Sequence, residues 1–313
     1  MSKDFVPFDL RQIKTYPLGR RKSLVHLADF AKPILPSKSV RDFLDSLPNV
    51  LGASALRRLA DRVVLVRKRK RPLVVGFGAH VIKCGLGPIL VDLMERGIIT
   101  ALATHGASCV HDFELALTGE TSEDVGASLK KGKFGMARET AEALSQAAKS
   151  AARRARGLGF ALGEKIEKEK LPHREVSVFA SAYRLKIPLT VHVAIGTDTF
   201  HMHPCLDAGS LGMSSHTDFK IFCSVVRGLS GGVYLNIGSA VILPEVFLKA
   251  VSVAHNTGAH LSRVFTANLD MIQHYRGRVN VLERPSDESV YLTGHHEIMV
   301  PLLAAAILSR LGE

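Results

Sequence analysis

The alternation of apolar and polar positions divides the 313-residue chain into short apolar runs that end in glycine and longer segments with apolar residues one turn apart. Leu73-Val74-Val75-Gly76-Phe77-Gly78 is a run of the first kind, as a strand buried on both faces of a sheet would be. Residues 88–96 then place apolar pairs a turn apart and stop at Gly97, which predicts a helix with a glycine cap. Residues 98–103 predict the next strand. Strand, helix and strand within about thirty residues make a βαβ unit, and such units build parallel sheets. The pattern recurs: a long alanine-rich helix over 134–157, a β-branched strand over 189–195, a helix over 218–228, a strand over 233–237, and a helix over 244–255 with Pro244 in its first turn. Strands at 264–267 and 290–292 and a closing helix over 297–311 complete an α/β chain with a parallel sheet and helices on both faces. Upstream, two short helices are expected over 37–46, introduced by Pro36-Ser37, and over 53–61. No flexible linker divides the sequence, so residues 1–71 read as an N-terminal helical extension and 72–313 as the main domain.

A net charge of +12 raises the question of a polyanionic partner. The positive charge is concentrated in three runs, Arg67 to Arg71, Lys130 to Lys133 and Arg153 to Arg156, none with an aromatic residue interleaved for base stacking. They read as solvated faces, and nucleic acid is not the expected partner. The four cysteines, Cys84, Cys109, Cys205 and Cys223, lack CxxC spacing and read as thiols of a reducing compartment. No signal-peptide or membrane-span run is found, so a cytoplasmic protein without a membrane partner is expected.

In an open parallel sheet, ligands bind beyond the carboxyl ends of the strands. The loops to inspect are therefore Gly76-Phe77-Gly78-Ala79-His80, Thr104-His105-Gly106-Ala107-Ser108, Gly196-Thr197-Asp198-Thr199, Asn236-Ile237-Gly238-Ser239 and Thr266-Ala267-Asn268. Glycine admits close backbone approach, and Thr, Ser, Asn and Asp offer hydrogen bonds. Together these loops suit a dinucleotide, although no GxGxxG follows a strand.

Thr104-His105-Gly106-Ala107-Ser108-Cys109-Val110-His111-Asp112-Phe113-Glu114, Ile187-Pro188, Gly196-Thr197-Asp198, the 233–239 strand and loop, Thr266-Ala267-Asn268 and Pro301-Leu302-Leu303 occur in the order found in deoxyhypusine synthases. The chain resembles that family from roughly Pro72 to Leu308. The resemblance implies a Rossmann-like sheet that binds NAD, usually in a tetramer with shared sites. It is divergent: the family's threonine-alanine-glycine-glycine loop aligns with Thr104 to Ala107, its paired glutamates with Val110 and His111, and its aspartate-alanine with His295-His296. The family's catalytic lysine lies between the threonine-alanine loop and the last strand, and no lysine follows Lys249 here. Aminobutyl transfer through an enzyme imine needs that amine, so true deoxyhypusine synthase activity is not expected. The run from Val110 to Leu117 is similar to the archaeal-type NAD-dependent ornithine cyclodeaminases, whose corresponding helix starts valine-histidine-aspartate.

On this basis the expected function is NAD-dependent oxidation of a C–N bond in an amine or amino acid by a homo-oligomer, a tetramer or dimer. His111 and Asp112 would begin a helix, with His111 as acid/base and Asp112 holding a substrate ammonium, while Glu114 reads as an acidic helix start. Asp198 is expected on a ribose and His295 beside the cofactor. Cys109 reads as a packed thiol. His201, a third catalytic candidate, and His203 would share one face of an extended segment near His192 and His216. With His295-His296 they are weak metal candidates. The alternatives are a noncatalytic or regulatory dinucleotide-binding protein and a histidine-ligated metalloenzyme.

Overall fold

In the computed structural model, which describes residues 7–35, 38–286 and 288–312, six strands form one sheet in the order β3-β2-β1-β4-β5-β6. They are β1 (Leu73–Phe77), β2 (Ala101–His105), β3 (Leu189–His192), β4 (Val233–Ile237), β5 (Phe265–Asp270) and β6 (Glu288–Thr293). Every pairing is parallel. The expected parallel Rossmann-like sheet with helices on both faces is what forms.

The helices are α1 (Val40–Ser46), α2 (Leu51–Lys68), α3 (Ala79–Lys83), α4 (Gly87–Glu95), α5 (Gly106–Thr118), α6 (Val125–Leu129), α7 (Arg138–Arg153), α8 (Leu158–Lys168), α9 (Val178–Leu185), α10 (Ala208–Arg227), α11 (Ile242–Asn256) and α12 (His296–Leu311). The two-residue period of the strands sorts the core into two layers. Leu73, Val75 and Phe77 face the side covered by α2, α4, α9 and α12, while Val74 faces α10 and α11. On the second side Tyr234 stacks on Phe247 with ring centroids 3.7 Å apart.

Several elements differ from the sequence expectation, each for a local reason. Pro36 and Ser37 lie outside the described residues; α1 is capped by Ser39, whose hydroxyl accepts the Asp42 N–H while the Asp42 carboxylate accepts the Ser39 N–H. Helix α2 runs well beyond 53–61 and ends on Arg67 and Lys68, which complement the negative end of its dipole. Its Leu59, Ala60 and Val63 are fully buried in the same core as β1, so the expected boundary at residue 71 cuts through one hydrophobic core. The long helix expected over 134–157 forms as the single helix α7, shorter at both ends, and α8 follows as a further helix that was not expected; a side chain at Gly157 would collide with Asp218 and one at Gly159 with the Leu189 carbonyl. Among the described residues, no helix is long and apolar enough to cross a membrane.

Candidate functional site

The chain leaves β1 for β2 on one side and returns to pair β4 on the other, so the reversal point lies between the carboxyl ends of β1 and β4. Two glycines meet there. The Gly78 N–H donates to the Ile237 carbonyl at 2.8 Å, and a side chain on Gly78 would collide with the Gly238 carbonyl. Gly238 itself has φ +62. Open-sheet folds bind ligands at such a crevice.

Not all of the expected loop residues reach it. Gly76 is within β1, where its missing side chain makes room for the Tyr234 hydroxyl, so it serves packing rather than a ligand. Strand β5 extends through Asp270, which places Thr266 and Ala267 in the buried strand interior instead of a loop. Asn236 and Asn268 are also buried: Asn236 Nδ2 donates to the Ser239 carbonyl and to Asn268 Oδ1, and Asn268 Nδ2 donates to Gln273 Oε1. That chain of amides ties β4 to β5. Ser239 Oγ accepts the Leu243 N–H and so anchors α11. Left over at this edge are buried polar atoms without a side-chain hydrogen bond: Asn236 Oδ1 and both ring nitrogens of His296. His296 lies 3.8 Å from Asp270 and edge-on to His80. Its neighbour His295, expected beside a cofactor, is exposed at the start of α12.

A second group of side chains surrounds the start of α5. Thr104 is buried, its hydroxyl donating to the Phe77 carbonyl, so it braces β1 against β2 instead of facing a ligand. His105 Nε2 accepts the Ala79 N–H at 3.3 Å. The Asp198 carboxylate takes the Ala107 N–H and fills the space that a side chain on Gly106 would need. It therefore sits at the positive end of α5, although burial pushes its pKa up to about 6. Asp198 Oδ2 is 3.6 Å from His201 Nε2. His201 Nδ1 accepts the N–H groups of Gly196 and Asp198, which fixes the proton on Nε2 and points it at Asp198. Thr197 Oγ1 donates to the Ala194 carbonyl, so this loop is held together from within.

His201 lies on a short 3-10 turn, Thr199–Met202, not on an extended segment. It and His203 therefore do not share a face; the His203 side chain contacts Cys205 Sγ at 3.2 Å, while His192 is buried against Phe222. Cys109 is fully buried and its thiol is held well above its usual pKa by burial, as packing requires.

Beside α5 opens a cavity of about 620 Å³ lined by Lys83, His111, Glu114, Thr121, Thr140 and Asp198, among others. Helix α5 begins at Gly106, five residues before the expected start, and this sets which side chains face the cavity. His111 and Glu114, three apart, lie on the same face. His111 Nδ1 is 2.7 Å from Thr121 Oγ1, and that hydroxyl donates to Glu114 Oε2 at 2.6 Å. Because the hydroxyl proton goes to the carboxylate, Nδ1 is the donor to Thr121 and His111 keeps a basic Nε2. Thr140 Oγ1 donates to the other oxygen of Glu114 at 3.1 Å. Burial, then the charges of Lys83 and His105, pull the His111 pKa down to about 4, so the ring is neutral near pH 7. Asp112 points the other way. It is 1% exposed and accepts from the Ser177 hydroxyl and the N–H groups of Val178 and Phe179, capping α9. The expected role as an ammonium anchor is therefore corrected. No motif marks Thr121 and Thr140 in advance: Thr121 turns back to Glu114 from just beyond the end of α5, and Thr140 reaches it from the start of α7.

Neither a protein-family model nor any curated protein matches the sequence. Solved structures share the fold. A candidate LOR/SDH protein from Methanococcus maripaludis S2 superposes with TM-score 0.56 at 16% identity, over 84% of this chain and 71% of that one. The ternary complex of AgrE with ornithine and NAD+ gives TM-score 0.53 at 18% identity over 83% of this chain, which spans 33% of AgrE. A candidate deoxyhypusine synthase from Entamoeba histolytica gives 0.51 at 12% identity, covering 87% of this chain and 94% of its own.

Proposed function

We propose that the protein is an NAD-dependent enzyme that transiently oxidises a C–N bond of an amine or amino acid. The observation that carries this reading is the carboxylate-lined cavity beside α5. Glu114, Glu120, Glu123, Glu139 and Asp198 line it against one lysine, Lys83, in a chain of net charge +12. Such a lining favours a cationic ligand over an anionic one.

The crevice fits a dinucleotide in two respects: Gly78 and Gly238 leave room for a closely approaching ligand, and unpartnered polar atoms of Asn236 and His296 lie at the same edge. When bound there, NAD would supply the hydride acceptor. The chain's own contributions are to bind, orient and move a proton. His111, neutral and held through Thr121 by Glu114, takes a proton from the substrate nitrogen at Nε2. Asp198 takes the ammonium-anchoring role that Asp112 cannot fill, in preference to the ribose. Support for this chemistry also comes from the shared fold with AgrE, whose structure holds ornithine and NAD+.

We further infer a homo-oligomer in the cytoplasm. The apolar side chains exposed along the N-terminal arm and the four unpaired cysteines support these two points. Native mass spectrometry and calorimetry should find bound or tightly binding NAD. Ornithine, arginine or polyamines should then give NADH absorbance or ammonia. Absence of dinucleotide binding would overturn the reading, and binding without turnover on any amine would leave a noncatalytic dinucleotide-binding protein.

A further inference from the structure

We propose that His80, Cys84 and Glu297 form a site for a zinc-like divalent transition-metal ion that joins α3 to α12. This site uses none of the cavity residues, and it meets the crevice only where His80 lies edge-on to His296. His80 in α3 and Cys84, which caps it and donates its N–H to the His80 carbonyl, are four apart and so lie on the same side of this turn. Gly85, with φ +74, turns the chain directly after the thiol. Glu297 enters from the first turn of α12, and one donor atom from each of the three residues lies within 4.8 Å of the others. Among the described residues, this is the one trio of histidine, cysteine and carboxylate donors gathered so closely.

The donor set decides the class of ion. Magnesium and calcium take oxygen ligands, whereas one imidazole, one thiolate and one carboxylate suit zinc, cobalt or nickel. Bond lengths of about 2.0–2.3 Å to such an ion put neighbouring donors roughly 3.5 Å apart. Cys84 Sγ and Glu297 Oε2 are 3.9 Å apart, so small side-chain rotations complete the geometry. A thiolate and a carboxylate balance a dication, and the fourth position is left to water. His295 Nδ1, 3.8 Å from Glu297 Oε1, is placed to orient that carboxylate.

The simpler account is a weak S–H bond from Cys84 to Glu297. Glu297 is far from the other two in the chain, so no local spacing marks the trio.

The test uses the full chain, stripped with a chelator and titrated with Zn2+ by calorimetry, then with Co2+ by absorption. One ion per chain should bind, and cobalt should show tetrahedral visible bands and a thiolate-to-cobalt charge-transfer band. Cys84→Ser should abolish that band. Glu297→Gln, at an exposed position, should weaken binding by roughly tenfold or more, since even outer-shell changes cost that much at metal sites. Cys205→Ser, which alters the separate His203–Cys205 contact, should change nothing. The proposal is overturned if no saturable binding occurs, if the band survives Cys84→Ser in protein with unchanged circular dichroism, or if Cys205→Ser removes it.

Discussion

His111 works in company rather than alone. Thr121 fixes its tautomer and Glu114 orients Thr121, so the group that would move a proton depends on a carboxylate that never meets it directly. His111→Gln should lower turnover on the responsive amine by roughly a hundredfold or more, the usual scale of a lost general base. Thr121→Val should lower it less, because the ring remains but its orientation is free. Equal losses would show that Thr121 acts on the fold instead. The pH profile separates the two ionisations. With a pKa of about 4, His111 stays a base well below the range of an ordinary histidine. Asp198, raised to about 6, becomes an anion only as pH rises through that value, so turnover should climb through about pH 6. The rise should vanish in Asp198→Asn. His111 was legible in the sequence because it follows a strand-end loop. Asp112 could not be placed from sequence alone, because adjacent residues on a helix point in different directions and only one of the two can face the cavity.

Buried aspartates recur as remote helix caps. Asp112 on α5 caps α9, and Asp218 on α10 accepts the N–H groups of Gly159 in α8 and Val191 in β3, each at 3.0 Å. The strands and their parallel order could be read from apolar runs and βαβ spacing. Helices α8 and α9 could not, because their starts depend on carboxylates distant in sequence, and the α7 to α8 break depends on close approach to Asp218 and Leu189. Asp112→Ala leaves buried donors unpaired and should cost about 2–4 kcal/mol of unfolding free energy by urea titration. Asp218 has a pH signature as well. Burial raises its pKa to about 7, so the folded state holds this proton more tightly than the unfolded chain does. Its stabilising effect is therefore present below about pH 4 and lost as pH rises to about 7. Asp218→Asn should flatten that decline relative to the parent protein. Identical slopes for the two proteins between pH 4 and 7 would refute the assignment.

Across the whole molecule, the contrast is between a closed core from α1 to α12 and an arm over residues 7–35 that leaves its apolar side chains in the open. Leu24 is 86% exposed, Leu27 83%, Leu18 71% and Phe8 69%. The arm meets the body through the Lys32 N–H, which donates to the Ser46 carbonyl, and the Asp29 carbonyl, which accepts the Asn49 N–H. The two helices expected in the N-terminal region lie beyond the arm, as α1 and α2, and the described part of the arm has only short 3-10 turns, at Leu10–Gln12, Leu18–Arg20 and Leu27–Asp29. A segment too short of internal contacts to bury its own leucines gains by covering a second copy. At about 25 cal/mol per Å², hiding half a dozen such side chains is worth on the order of 10 kcal/mol before the cost of association. In the proposed homo-oligomer the arm would cover another surface of this chain, so that the assembly closes by symmetry. Light scattering should therefore find the full chain as a dimer or tetramer. A version beginning at residue 38 keeps the Ser39 cap and all of α2, so it should retain the far-ultraviolet circular dichroism of the body while shifting toward monomer. A full chain that is monomeric at micromolar concentration, or a shortened one that assembles equally well, would show that the arm has another partner.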